Sequence, residues 1–172
     1  SGNRVEQLHS IGGARAFDVR AGGTMSLSTE ATYAGDATPG DSLDALMQDP
    51  SAQLVDVRTT AEWAYVGSPD LTGTARDAIR IEWQVFPSMT VNPAFVETLR
   101  RELATRGVDA NAPLYFLCRS GIRSKAAAIA VTAAGFGRCY NVVGGFEGPH
   151  DAERRRGTKA GWKADGLPWV QP

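Results

Sequence analysis

The chain has 172 residues, 42% of them hydrophobic and 22% charged, with a formal net charge of -1. That length supports one domain with a full core, and the near-neutral balance excludes a general nucleic-acid or membrane-surface binder. No apolar run is long enough to span a bilayer, and two cysteines, Cys118 and Cys139, do not make a disulfide framework.

Residues 1–37 are rich in Gly, Ser, Thr and Ala without apolar periodicity, and read as a flexible leader ahead of a domain spanning residues 38–172. Met25-Ser26-Leu27-Ser28-Thr29-Glu30 resembles a bacterial chain start, which would make residues 1–24 an added extension; the alternative is a native tail docked on the domain. Leu43, Leu46 and Met47 stand at helical spacing, predicting a short helix over Asp41 to Met47 that Asp49-Pro50 stops. Gln53 to Val57 is a short, β-branched buried strand, and Thr59 to Trp63 a helical turn capped by Thr59 or Thr60. Gly67-Ser68-Pro69-Asp70 breaks the pattern, and Asp77 to Ile81 forms another short strand.

Asn92-Pro93 opens the next helix, with Asn92 as its cap, and Gly107 closes it. Pro113 to Leu117 is an apolar strand, Ser124 to Ala134 a helix ended by Gly135, and Arg138 to Val143 a last strand. Strands alternating with helices predict a parallel sheet covered on both faces. Functional sites of such sheets lie beyond the carboxyl ends of the strands.

Cys118 occupies such an end. A polar loop, Arg119-Ser120-Gly121-Ile122-Arg123, separates it from the following helix. Gly121 permits a curl at positive φ, and a curled loop ahead of a helix turns N–H groups inward as an anion-binding nest. Helix N-termini and cationic neighbours favour thiolate over thiol. The loop is therefore suited to a Cys118 persulfide and a tetrahedral oxyanion, with Arg119 and Arg123 adding positive charge.

Three separated motifs carry a family resemblance: Leu54-Val55-Asp56-Val57-Arg58 with Glu62 just after, Cys118 through Ser124, and Asn141-Val142-Val143-Gly144-Gly145-Phe146. Together they resemble the rhodanese family of sulfurtransferases. The resemblance implies a three-layer α/β fold with a central, mainly parallel five-stranded sheet flanked by helices. It implies Cys118 as the sulfur-carrying nucleophile, Arg119, Ser120, Gly121, Ile122 and Arg123 as the substrate loop, and Asp56, Arg58 and Ser124 as supporting residues. Asp56 would orient neighbouring groups, and Arg58 with Glu62 would form a structural ion pair. Thiosulfate or a similar donor would supply sulfur, and cyanide, a thiol or a protein thiol would accept it, with no cofactor. The familiar Gly-His-Ile-Pro-Gly-Ala segment is absent, and Val66 to Gly73 stands in its place, which leaves substrate identity open.

Blander readings compete at each position. Cys118 would otherwise be a buried structural cysteine. Cys139 reads as core, with a resolving disulfide to Cys118 as its alternative. Arg119 and Arg123 would otherwise be solvated, and Asp56 a turn cap. His9 and His150 have no metal-like partners. Arg154-Arg155-Arg156 with Lys159 is a solvated loop or a patch for an anionic partner. Trp162 and Trp169 would pin the tail onto the domain or form a lip near the site, while Trp63 and Trp83 are core. Two rival functions stand beside sulfur transfer: a non-turnover persulfide carrier or binding module, and a Cys-x5-Arg phosphatase or arsenate reductase. Arg123 lies five positions after Cys118, a loop one residue shorter than the phosphatase pattern. A reactive thiol needs a reducing compartment, so a cytoplasmic location is expected.

Overall fold

The computed structural model describes residues 32–172. Along the chain lie β1 (Gly35–Ala37), α1 (Pro39–Gln48), β2 (Gln53–Asp56), α2 (Thr60–Tyr65), β3 (Ser68–Pro69), β4 (Ile79–Arg80), β5 (Gln84–Val85) and β6 (Thr90–Val91). α3 (Phe95–Thr105), β7 (Leu114–Leu117), α4 (Ile122–Ala133), β8 (Cys139–Val142) and β9 (Trp169–Val170) follow. The central sheet has five strands in the order β1-β8-β7-β2-β4, and every neighbouring pair is parallel.

The side-chain alternation of the strands explains the layering. Val55, Leu114, Phe116 and Cys139 point to one face, where they pack with Phe95, Leu99 and Leu103 of α3 and Ala127, Ala128 and Val131 of α4. Leu54, Leu117 and Val142 point to the other, against Leu46 of α1, Phe146 and Trp162. The alanines of α4 favour helix and let it sit close to the sheet. Trp83 is partly buried and meets Phe95 edge-on at 5.1 Å; Trp63 is half-buried and lies in neither core cluster.

Four expectations need correcting. Residues 35–37, placed in the leader, form the sheet's edge strand: Gly35-Asp36-Ala37 has no apolar pattern and is held by backbone pairing with β8. Residues 1–31 of the leader, including Met25, lie outside the described residues. Ser68–Pro69 is not a simple break but a strand paired antiparallel with Trp169–Val170, so β8 is not the last strand. α3 starts at Phe95, two residues after Pro93; the Asn92 side chain accepts from the Ala94 N–H and closes a turn ahead of the helix.

Candidate active site

β7 delivers Cys118 to the carboxyl edge of the sheet, beside the end of β2, where the Val57 N–H donates to the Leu117 carbonyl at 2.8 Å. The loop that follows is anchored by its carbonyls. Cys118 C=O accepts from Phe146 N–H at 2.7 Å, and Arg119 C=O accepts from Glu147 and Gly148 N–H at 2.9 and 3.1 Å. Gly121 takes φ 103° and caps α4, a conformation L side chains rarely adopt. Its N–H donates to Cys118 Sγ at 3.1 Å, and the Ser124 hydroxyl lies 3.1 Å from the same sulfur. The first helical residues, Ile122 and Arg123, have N–H groups without intrahelical acceptors. The sulfur thus sits at the positive end of a 12-residue helix, and Cys118 is 1% exposed.

The turn beneath the loop explains the Gly-Gly pair. A Cβ on Gly145 would run into the Cys118 carbonyl and would lie 2.7 Å from Arg119 C and Ser120 N. On the other side, a Cβ on Gly161 would meet the Gly144 and Gly145 carbonyls at 2.8 Å. The turn is therefore sandwiched between the cysteine loop and the C-terminal segment. Trp162 secures that segment: its N–H donates to Gly145 C=O at 2.8 Å, its indole N–H to Pro168 C=O at 2.7 Å, and it is fully buried. Trp162 and Trp169 do pin the tail, Trp169 meeting Phe146 edge-on at 6.3 Å.

The ion pairs differ from expectation. Arg58 does not pair with Glu62. Its guanidinium donates to both oxygens of Asp56, Nε at 2.9 Å and Nη2 at 2.6 Å, and to Gly67 C=O at 2.9 Å, while lying 4.2 Å over the Phe146 ring. Both side chains are fully buried, so each charge depends on the other. Glu62 instead receives Arg123 through two hydrogen bonds, at 2.7 and 2.8 Å. It also accepts the Thr59 N–H at 2.9 Å, closing the capping box of α2. Burial would push the Glu62 carboxyl up, but the Arg123 and Thr59 hydrogen bonds outweigh it and hold it at about 2. Burial opposes the Arg123 charge too, and Glu62 raises it overall.

A cavity of about 660 Å³ opens over Cys118. Ser120, Ile122 and Arg123 line it; Arg119 is exposed at its wall, and Arg156 and Glu147 also face it. Tyr65, Phe86, Met89 and Ile122 add exposed apolar surface around the mouth. Arg154 and Arg155 are exposed, and neither lines the cavity. Cys139 pairs in register with Leu114, four residues before Cys118, so the two thiols stand roughly 13 Å apart along the sheet, too far for a disulfide. Burial pushes the Cys139 thiol up. His150 is exposed, His9 lies outside the described residues, and no group of three His, Cys, Asp or Glu among the described residues could hold a metal ion.

Sequence reasoning missed three parts of the site. Glu62 as partner of Arg123 had no signal, because the Thr59-to-Glu62 spacing marks only the capping box of α2. The link from Ser124 to Asn141 had none, since 17 residues separate them. Nor did the apolar rim, which is assembled from α2, the β5–β6 hairpin and α4.

Residues 35–172 match the family described as the STR4 middle domain. The crystal structure of Rv0390 from M. tuberculosis is similar to this chain at 45% identity and a TM-score of 0.74, covering 82% of this chain and all of that one, 100%. Uncharacterized protein RC0915 of Rickettsia conorii is 36% identical over 126 residues, 73% of this chain and 89% of the relative. Rhodanese-like domain-containing protein 4, chloroplastic, of Arabidopsis thaliana is 30% identical over 124 residues, which are 72% of this chain but 23% of that longer protein. With its five-stranded parallel sheet and its match across residues 35–172, the chain belongs to the STR4 middle-domain family and is a rhodanese-like protein.

Proposed function

We propose that the protein is a sulfurtransferase whose nucleophile is Cys118. The observation that carries this is the sulfur's seat: the Gly121 N–H and the Ser124 hydroxyl, both at 3.1 Å, at the start of α4 and on the floor of an open cavity. The thiolate attacks the outer sulfur of thiosulfate or a similar donor. The donor's S–S bond breaks, sulfite leaves with the electron pair, and Cys118 holds a persulfide. A second nucleophile then takes the terminal sulfur, and Sγ leaves as thiolate. Such covalent catalysis runs by a ping-pong scheme, with loop N–H groups stabilising developing negative charge. Cytoplasmic placement belongs to the same proposal, because a reducing compartment keeps the thiol usable.

The cavity favours an acceptor bulkier than cyanide. A volume of about 660 Å³ with Tyr65, Phe86, Met89 and Ile122 exposed at the rim exceeds the needs of a small anion. An organic thiol or a protein thiol fits that rim, and a protein acceptor would make the chain a carrier. Phosphoryl chemistry is disfavoured, since the loop is short and the Arg123 guanidinium is committed to Glu62. The test is turnover with thiosulfate, comparing cyanide with peptide-sized thiols. Parallel double-reciprocal lines, faster discharge to thiols and no turnover in Cys118→Ser are expected. Absence of turnover with every acceptor would refute the enzymatic form of the proposal.

A further inference from the structure

Ser124 has one hydroxyl proton and two acceptors within reach. Cys118 Sγ lies at 3.1 Å and Asn141 Oδ1 at 2.7 Å. The other end of the Asn141 amide, Nδ2, donates to Asp36 Oδ1 at 3.0 Å. The same carboxylate oxygen accepts the Tyr33 hydroxyl at 2.7 Å. A carboxylate only accepts. Asp36, on the edge strand β1, therefore fixes which end of the buried Asn141 amide faces Ser124: the carbonyl oxygen, a competitor for the proton that the sulfur needs.

We propose that Asp36 and Asn141 are positioning residues that make the Ser124 hydroxyl a two-position donor, turned toward Asn141 or toward Cys118 according to where negative charge resides. With Cys118 as thiol, S–H donates to Ser124 Oγ and Ser124 O–H donates to Asn141. With Cys118 as thiolate, the hydroxyl turns to the sulfur and Asn141 Oδ1 loses its donor, which costs free energy in a buried site. In the persulfide, the charge sits on the terminal sulfur and the hydroxyl returns to Asn141. When an acceptor thiolate attacks that terminal sulfur, a new S–S bond forms and the Sγ–S bond breaks. Sγ then leaves with the electron pair, and the hydroxyl swings back to meet its charge. This discharge step rests on the sulfur-transfer function proposed above; the switch in the unloaded protein does not.

Other charges face these groups. Lys125 of α4 lies 5.4 Å over the Tyr33 ring, beside Asp36. Glu62, Arg119, Arg123, Glu147 and Arg156 share the cavity with Cys118, and the buried Asp56–Arg58 pair stands at the end of the neighbouring strand. A charge effect of Asp36 must therefore be separated from its hold on the amide, and two variants do so. Asp36→Ala removes the acceptor, so the Asn141 amide can turn, present Nδ2–H to Ser124 and commit the hydroxyl to sulfur. Asp36→Asn removes the charge but keeps an oxygen acceptor.

The experiment is the rate of Cys118 alkylation by iodoacetamide in the full, unloaded chain across pH, with thermal melts to verify folding. Asp36→Ala is expected to react about three- to tenfold faster than wild type near neutral pH, Ser124→Ala slower by a similar factor, and Asp36→Asn to restore the wild-type profile. Equal profiles for the two Asp36 variants would reduce the effect to charge and overturn the proposal. An unchanged or slower Asp36→Ala, or a Ser124→Ala as fast as wild type, would overturn it as well. None of these readouts requires sulfur transfer, so failure of the sulfurtransferase function would appear separately, as a missing persulfide.

Discussion

Glu62 and Arg123 are 61 residues apart in sequence and joined by two hydrogen bonds, at 2.7 and 2.8 Å. One carboxylate thus closes the first turn of α2 and holds the first turn of the helix that carries the cysteine loop. Glu62→Gln keeps the shape and removes the charge. It is expected to cost about 1–3 kcal/mol of stability and to lower turnover by about an order of magnitude through a looser loop. Because the Glu62 carboxyl is depressed to about 2 from an ordinary 4.5, its contribution is present above the ordinary value and lost as pH falls toward the lower one. Thermal melts of wild type and variant should differ most near neutrality and converge in acid across that window.

Gly145 stands at φ 59° with the backbone of Arg119 and Ser120 where a side chain would be. Gly145→Ala must displace the cysteine loop. Sulfur loading of Cys118 is expected to fall more than about tenfold, with strain of about 1–3 kcal/mol visible in denaturant melts. A variant that loads at the wild-type rate would mean the turn does not support the loop.

These residues also mark what was legible in the sequence. The alternation of apolar strands and helices foretold the parallel sheet, because burial on both faces leaves a continuous apolar signature in Leu54-Val55 and in Leu114 to Leu117. Cys118 and its loop were legible because nucleophile, glycine and helix start are contiguous. The ion pairing was not: Asp56, Arg58, Glu62 and Arg123 allow more than one pairing, and only the packing of Arg58 on Phe146 and the direction of α4 decide among them. β1, Gly35-Asp36-Ala37, carries no hydrophobic pattern and is held at the sheet edge by backbone pairing with β8, and β9, Trp169–Val170, is two residues long, too short to show a period.

Trp162 is fully buried and roofs the Gly144-Gly145 turn. Trp162→Ala is expected to cost about 3–5 kcal/mol, read as a lower urea midpoint, and to loosen the C-terminal segment that braces the cysteine loop. A cost below about 1 kcal/mol would mean that this segment is dispensable to the fold.

Cys139 is buried, its thiol pushed up by that burial, and it stands at the far end of the sheet from the loop. Native-state alkylation should label Cys118 and spare Cys139 until the protein unfolds. Cys139→Ala should retain sulfur loading, and peptide mapping after mild oxidation should yield no intramolecular bond between the two cysteines.

The central claim is that Cys118 carries sulfur covalently. Intact mass after incubation with thiosulfate, for wild type and Cys118→Ser, tests it most directly. A gain of about 32 Da in wild type alone, removed by a thiol acceptor, is the predicted result. No gain in folded, reduced wild type with thiosulfate or any other persulfide donor, or an equal gain in Cys118→Ser, would contradict it.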